Sequence, residues 1–352
     1  METKSSDSVR EHGEGGEGRD QLRMIAWELT RACNLACVHC RAAAIDEPPP
    51  GELTTEECLT LLGDIASFAR PTIILTGGEP LMRPDLFDIA RRGTELGLRM
   101  VAAPNGTLLD ATAAQRLVDA GVLRISISID GRDAASHDAL RGVPGAFEGA
   151  LRGIEAAKAA GLPFQINTTV TTRNADQLSE VMDLAIRLGA VAHHIFLLVP
   201  TGRAADLRGF ELDARRYEAV LGWLAGQYAA APIEIRATCA PHFYRILRQR
   251  GIETQARGCL AGQSFCFISH RGDVQPCGYF DLSVGNVRET PLREIWANAP
   301  LFRQFRDPSA YEGKCGRCEY LEVCGGCRAR AYEATGRPMG PEPLCAYQPH
   351  VH

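Results

Sequence analysis

From Met24 onward the chain alternates short apolar runs with longer amphipathic stretches. MIAWELT (24–30), TIILTGG (72–78), RMVAAPNG (99–106), RISISID (124–130), FQINTTV (164–170) and HHIFLLV (193–199) are rich in β-branched and aliphatic residues. Several are apolar almost throughout, as strands covered on both faces are. Between the runs, apolar residues return at helical spacing: Cys58, Leu61, Leu62 and Ile65 in one stretch, and Leu178, Val181, Met182, Ala185 and Leu188 in another. Thr54 and Glu57, three apart ahead of the first stretch, predict a capping box. Gly97, Gly121, Gly161 and Gly189 each stand between a helical stretch and a strand, where a helix commonly ends in a left-handed turn.

Six successive βα units with right-handed crossovers predict an α/β fold, a partial (β/α)6 barrel over residues 23–232, with its chemistry at the C-terminal ends of the strands. From 233 to 352 the periodic segments give way to Cys-, Gly- and Pro-rich sequence, which predicts a second, smaller unit. Residues 1–22 are polar and Gly-rich with no apolar segment, so they are expected to be a disordered tail rather than a signal peptide.

Charge excludes more than it suggests. With 38 Lys and Arg against 43 Asp and Glu, the chain has no basic footprint for nucleic acid. It also has no run of about 18 apolar residues that would span a membrane, and a cytoplasmic location is expected. The 13 cysteines change the picture, because without a secretory signal they point to metal ligation rather than disulfides. Directly after the first strand comes Cys33-x3-Cys37-x2-Cys40. Three thiolates on one loop can hold three irons of a 4Fe-4S cluster and leave the fourth open to a chelating ligand; with His39 they would instead make a Cys3His zinc site. Taken alone, Cys315-x2-Cys318-x5-Cys324-x2-Cys327 reads as a four-thiolate zinc site. Cys58, on the apolar face of a helix, reads as a small core residue. Cys239 stands among Arg236, His242 and Arg245 at the junction of the two units, where it reads either as core or as part of a substrate site.

The CxxxCxxC loop after strand one, followed by TGGEP at the end of strand two, resembles the radical SAM enzymes. The resemblance implies a TIM-type radical SAM barrel in which Cys33, Cys37 and Cys40 bind a 4Fe-4S cluster whose open iron is chelated by S-adenosylmethionine. Gly77, Gly78 and Glu79 would line the methionine, with the Glu79 carboxylate meeting its ammonium. Ser128 and Asp130 at the end of SISID would contact the ribose or methionine, Arg141 would pair with the cofactor carboxylate, and Asn105 would face the site. The rear pattern, Cys259-x6-Cys266-x10-Cys277 with Gly272 ahead of Cys277, then the CxxC pairs and Cys345, resembles the SPASM extension with two auxiliary 4Fe-4S clusters. The implied ligands are Cys259, Cys266, Cys277 and Cys327 for one, and Cys315, Cys318, Cys324 and Cys345 for the other. The last CxxC is one residue shorter than is common in that family, which leaves a single auxiliary cluster open.

IAWELTRACNLACVHCRA and CEYLEVCGGCRARAYEATG resemble the haem-forming branch of this family. That implies oxidative decarboxylation of two propionates of iron-coproporphyrin III to vinyls, giving haem b, with a ferredoxin- or flavodoxin-type electron donor. Porphyrin carboxylates call for arginine forks, for which Arg203, Arg236 and Arg245 are candidates beside Cys239 and His242. His193, His194 and His242 are candidates for the haem iron. Other readings are a SPASM maturase acting on a peptide or protein, a related enzyme removing tetrapyrrole side chains, and a non-enzymatic zinc protein.

Overall fold

The computed structural model describes residues 21–207, 209–254 and 256–350; the tail expected over 1–22 lies outside them except for its last two residues. The strands are β1 Met24–Glu28, β2 Thr72–Thr76, β3 Arg99–Ala102, β4 Ile125–Ser128, β5 Phe164–Val170, β6 Ala192–Leu197, β7 Glu234–Thr238, β8 Phe265–Ile268, β9 Asp273–Gln275 and β10 Gly285–Asn286. They form one sheet in the order β10-β9-β8-β1-β2-β3-β4-β5-β6-β7. Strands β1 to β7 run parallel, each to the next, β8 joins the other side of β1 in parallel, and β9 and β10 add antiparallel edges.

All six expected strands are present, and a seventh follows past residue 232, where the barrel was expected to end. Its sequence, EIRAT, alternates apolar Ile235 and Ala237 with the charged and polar Glu234, Arg236 and Thr238, so it holds only two apolar residues. The rear region does not stand apart either, since it supplies β8 to β10 of the same sheet.

Period-two alternation sorts every strand into two faces. Ile73, Leu75, Met100, Ile125, Ile127 and Ile166 face outward into one apolar core with helix residues Leu61, Leu62, Ile65, Leu117 and Ile154. The helix Thr55–Phe68 opens with the expected capping box: the Glu57 N–H donates to Thr54 Oγ1 at 3.2 Å and the Thr54 N–H to Glu57 Oε2 at 2.8 Å. It buries Cys58, Leu61, Leu62 and Ile65, as its pattern predicts. The helix Leu178–Leu188 ends on Gly189 at φ 86°, a left-handed cap that glycine takes without strain. A second core packs the helices Ala214–Gln227 and His242–Gln249 on Ile195, Leu197, Ile235 and Ala237 of β6 and β7. Truncating a large apolar side chain in either core is expected to cost about 2–5 kcal/mol. The residues on the other strand face, Ser126, Ser128, Asn167, Thr169, His194, Phe196, Arg236 and Thr238, are only half-buried and line the barrel interior.

Candidate iron-sulfur and cofactor site

The loop after β1 is closed on itself by the Cys33 N–H donating to the Ile45 carbonyl (2.7 Å) and the Ile45 N–H donating to the Arg31 carbonyl (3.0 Å). Within it Cys33 and Cys37 are buried and Cys40 half-buried. Donors already reach the sulfurs: the Leu35 N–H to Cys33 Sγ and the Ala44 N–H to Cys40 Sγ, both at 3.4 Å, and Arg141 Nη1 to Cys37 Sγ at 3.7 Å. Such donors suit thiolates. Burial, followed by the charges of Glu79, Cys37 and Cys40, nevertheless pushes the Cys33 thiol up to about 11. A thiolate at Cys33 would therefore be favoured by a cationic centre beside it, such as iron. His39 does not complete a Cys3His set; its Nε2 lies 3.3 Å from Asp130 Oδ2.

TGGEP rests directly on this loop. A Cβ on Gly77 would sit 2.5 Å from the Thr30 carbonyl oxygen, and one on Gly78 would sit 2.3 Å from that of Ala32. The Gly78 N–H donates to Thr30 O and the Glu79 N–H to Ala32 O, each at 2.7 Å. The missing side chains thus make room for the chain's own backbone. Glu79 is buried, with Oε1 accepting from the Leu81 N–H (2.9 Å) and Oε2 from the Asn105 N–H (2.6 Å). Burial outweighs both bonds and lifts its carboxyl to about 7; an ammonium group placed here would favour the anion, as the resemblance requires. The Asn105 side chain turns to the loop, its Nδ2 donating to Asn34 Oδ1 at 2.8 Å.

Asp130 is buried, its Oδ1 accepting from the Thr169 N–H (2.8 Å) and its Oδ2 paired with Arg141 Nη2 (2.7 Å). The Arg141 charge, with smaller help from His39, His137 and the Thr169 N–H, holds it below the ordinary aspartate value despite burial. Both carboxylate oxygens face protein groups, Oδ2 through its ion pair rather than a hydrogen bond. Arg141, by contrast, keeps a buried Nε with no hydrogen-bond partner, a donor that fits an anion such as the cofactor carboxylate. Ser128 ends β4 on the interior face.

The rear cysteines fall into two groups. Cys315, Cys318, Cys324 and Cys345 line one cavity, shared with His242, Arg245 and Lys314. The second group departs from expectation. Burial, then the charges of Cys327, Cys277 and Cys259, raises the Cys239 thiol well above its ordinary value. Burial, then Cys259 and Cys327, does the same at Cys277. Cys239, read above as a substrate contact, is thus gathered with Cys259, Cys277 and Cys327. It sits at φ 56°, a left-handed conformation rare outside glycine, and its carbonyl accepts from Arg330 Nη2 (3.1 Å) and the Tyr217 hydroxyl (3.3 Å). Cys266 is not among them. It pairs with Ile25 of β1 and faces the helix-covered apolar core, fully buried. The charged neighbour that acts on its thiol is Arg306, not another cysteine. Strand alternation turns it away from the other thiols.

The Radical SAM superfamily matches residues 27–185, and SPASM, an iron-sulfur cluster-binding domain, matches residues 259–328. The AdoMet-dependent heme synthase of Nitratidesulfovibrio vulgaris is 53% identical over 346 residues, 95% of this chain and 94% of that protein. That of Methanosarcina barkeri is 51% identical over 340 residues, 93% of this chain and 97% of its own. The chain belongs to the radical SAM enzymes with a SPASM domain. Its cofactors are accordingly S-adenosylmethionine and 4Fe-4S clusters, and the zinc reading falls. The crystal structure of Streptococcus suis SuiB bound to precursor peptide SuiA shares the fold at a TM-score of 0.75 and 18% identity, covering 93% of this chain and 76% of that one. Among the described residues no helix is long and apolar enough to cross a membrane.

Within this radical SAM fold the candidate substrate residues separate. Arg203 clamps the cluster loop, Nε to the Cys37 carbonyl (2.8 Å) and Nη1 to that of Ala44 (2.6 Å), which leaves only its buried Nη2 without a partner. Arg245 is buried and held by both Glu218 carboxylate oxygens (2.7 and 2.6 Å). His242 lines the rear cavity, and His193 lies on the outer strand face, its Nε2 2.8 Å from Thr168 Oγ1. His194 and Arg236 stand opposite each other in register on the interior face of β6 and β7, and Arg236 too is ion-paired, its Nε with Glu234 Oε1.

Glu28 was missed. It is a buried acid at the end of β1, with Oε1 2.8 Å from His270 Nδ1 and 3.1 Å from Arg31 Nε, and Oε2 3.1 Å from Arg41 Nη2. One charged residue inside the otherwise apolar run MIAWELT was the signal that could have found it.

Proposed function

We propose that this enzyme oxidatively decarboxylates two propionates of iron-coproporphyrin III to vinyl groups, forming haem b. The observation that carries this reading is 51–53% identity along nearly the whole chain to proteins named AdoMet-dependent heme synthase. In this reading Cys33, Cys37 and Cys40 hold the front cluster, Cys239, Cys259, Cys277 and Cys327 one auxiliary cluster, and Cys315, Cys318, Cys324 and Cys345 the other. A reduced cluster held by Cys33, Cys37 and Cys40 would supply the electron that cleaves S-adenosylmethionine to methionine and a 5′-deoxyadenosyl radical, the species that removes a hydrogen atom from the substrate. Each reacting propionate then loses that β-hydrogen, carbon dioxide and one electron, leaving a vinyl group. The surplus electron gives the auxiliary sites a purpose as nearby acceptors with protein-tuned potentials.

The protein's own residues supply binding and orientation. Glu79 takes the cofactor ammonium and the free Nε of Arg141 its carboxylate. Arg236 meets a porphyrin carboxylate in the barrel interior, and His194, whose Nδ1 lies 3.0 Å from Gln165 Nε2 while its Nε2 is buried without a partner, faces the same space. The reading includes a ferredoxin- or flavodoxin-type donor and a cytoplasmic location.

The test is anaerobic reconstitution with S-adenosylmethionine, a reductant and iron-coproporphyrin III, followed by mass analysis of the porphyrin. Two successive losses of a propionate carboxyl, with one cofactor consumed for each, are expected. Cofactor cleavage beside an unchanged porphyrin would overturn the proposal in favour of a peptide maturase.

A further inference from the structure

Directly after the last CxxC, Arg328 and Arg330 stand in the first turn of the helix Arg328–Thr335, and both are buried. The positive end of a helix disfavours cations, so other groups must hold them. Arg330 has a counter-charge, its Nη1 lying 3.2 Å from Glu342 Oε2. Arg328 is 0% exposed and is held differently. Its Nε donates to the Gly326 carbonyl (3.3 Å), its Nη1 to those of Pro338 (3.2 Å) and Gly340 (2.7 Å), and its Nη2 to Cys315 Sγ (3.6 Å). Its Cζ lies 5.0 Å from the centroid of the Tyr311 ring. Among the described residues no carboxylate forms an ion pair with it.

An arginine cannot shed its proton to escape the cost of burial, so a buried guanidinium calls for an anion. Arg83 shows the alternative within the same chain. Its Nη2 also touches a cysteine sulfur, Cys58 Sγ at 3.5 Å, but its Nε pairs with Asp85 Oδ1 at 2.6 Å, so Cys58 need supply no charge. For Arg328 the one partner that can become an anion at ordinary pH is Cys315. Burial works against the Arg328 charge, but Cys315 first, then Tyr311, Cys259 and Glu342, hold its pKa above the ordinary arginine value. Cys315 Sγ is itself prepared for negative charge by a second donor, the Glu342 N–H at 3.4 Å.

The short Cys324-x2-Cys327 turn makes this contact possible. Gly326 sits at φ 65°, and a Cβ there would stand 2.5 Å from Arg328 Nη2 and 3.3 Å from Cys315 Sγ. Cys315 lines one cavity with Cys318, Cys324 and Cys345. An oxidised 4Fe-4S core on four thiolates is a dianion, and one added electron makes it a trianion. A fixed cation against a ligand sulfur favours the more negative form and so raises the reduction potential.

We propose that Arg328 is the buried counter-cation of the auxiliary cluster held by Cys315, Cys318, Cys324 and Cys345, donating from Nη2 to Cys315 Sγ and raising the potential of that cluster. This rests on the ligand assignment proposed above. It makes this cluster a better electron acceptor than its thiolates alone would.

The full chain, reconstituted anaerobically, is titrated with a reductant and followed by electron paramagnetic resonance. The front cluster is recognised by the change S-adenosylmethionine makes in its signal, and the cluster in question as the signal that Cys324→Ala removes. Arg328→Met is expected to move the midpoint potential of that cluster to more negative values, by more than it moves the other auxiliary potential. Arg328→Lys, which keeps the charge, is expected to move it less. Unchanged potentials in a fully loaded Arg328→Met protein, or equal shifts at both auxiliary clusters, would overturn the proposal. If Arg328→Met loses the cluster, the unmutated chain carrying arginine isotope-labelled at its guanidinium nitrogens answers instead, by pulsed resonance on the reduced cluster. A hyperfine coupling to the label that persists in Arg245→Lys supports the proposal; no coupling, or one that Arg245→Lys removes, overturns it. Failure of the ligand assignment is seen separately, as an unchanged iron and sulfide content in Cys324→Ala.

Discussion

The front and rear cysteines do related jobs by opposite structural means. Cys33, Cys37 and Cys40 sit within one loop, and that loop is shaped by backbone contacts to itself and to Thr30–Ala32. The rear thiols come from the end of β7, the approach to β8, the turn after β9 and the segment from Cys315 to Cys345. Only the folded sheet brings them together. In the proposed assignment the front set has three ligands and would leave an iron open to the cofactor, whereas each rear group has four and would close its site. A local motif thus makes the reactive centre, and a non-local assembly makes the centres proposed to move electrons.

The strongest way to break this contrast is to remove one thiol from each region. Cys37→Ala is expected to reduce S-adenosylmethionine cleavage to background while both rear clusters remain, seen as the loss of one cluster's worth of iron. Cys324→Ala is expected to spare cofactor cleavage and abolish vinyl formation. Undiminished vinyl formation in Cys324→Ala would remove the electron-accepting role from the rear.

A pair of substitutions within the rear sharpens the boundary of the non-local assembly. Cys239→Ala should lose one auxiliary cluster, measured as iron and labile sulfide per chain. Cys266→Ala should keep all three and lower stability by about 1–2 kcal/mol, the effect of a small cavity in an apolar core. The reverse result would return Cys266 to the ligands and dismiss Cys239.

These two cysteines also show where the sequence stops being legible. The front motif, the six strands and the capping box at Thr54 could be read because each is a local pattern with a local physical cause. In FCFI, by contrast, both strand faces are apolar, so nothing in the pattern tells which way Cys266 points; its register against Ile25 decides that. Cys239 was obscured because β7, which delivers it, carries polar residues on its interior face and lay beyond the expected barrel. Arg203 and Arg245 mark another limit, since a guanidinium serves a backbone carbonyl or an internal glutamate as well as a substrate carboxylate. Gly77 and Gly78 were legible in TGGEP, but their close approach to the Thr30 and Ala32 backbone is a tertiary contact that no local pattern shows.

Gly78→Ala tests the local character of the front site without touching a ligand. The added Cβ meets backbone, at 2.3 Å from Ala32 O, rather than a flexible side chain, so the strain is expected to reach about 1–3 kcal/mol. It should fall on the cluster loop: iron at the front site and cofactor binding decrease, while the auxiliary signals are retained. Equal loss at front and rear would show that the loop is not an independent unit.

A further expected effect lies at the join between the regions and shows only under acid conditions. Glu28 ties Arg31 and Arg41 of the front loop to His270 in the β8–β9 turn, and Arg41 Nη1 also reaches the Gly278 carbonyl at 3.3 Å. Burial alone would raise its carboxyl, but Arg41 and His270 overcome this and hold it at about 2, below the ordinary 4.5. A depressed carboxyl binds fewer protons folded than unfolded, so its contribution is complete above about pH 4.5 and is lost as the pH falls towards 2. One pKa unit corresponds to about 1.4 kcal/mol, which makes the contribution at stake about 3 kcal/mol. The comparison of interest is between wild type and Glu28→Gln, because Asp130 and Glu342 are depressed as well and respond in the same direction. In urea unfolding of the cluster-free chain, the wild type should lose stability more steeply than Glu28→Gln over this window. Parallel pH profiles would show that the two regions are joined by packing rather than by this charge.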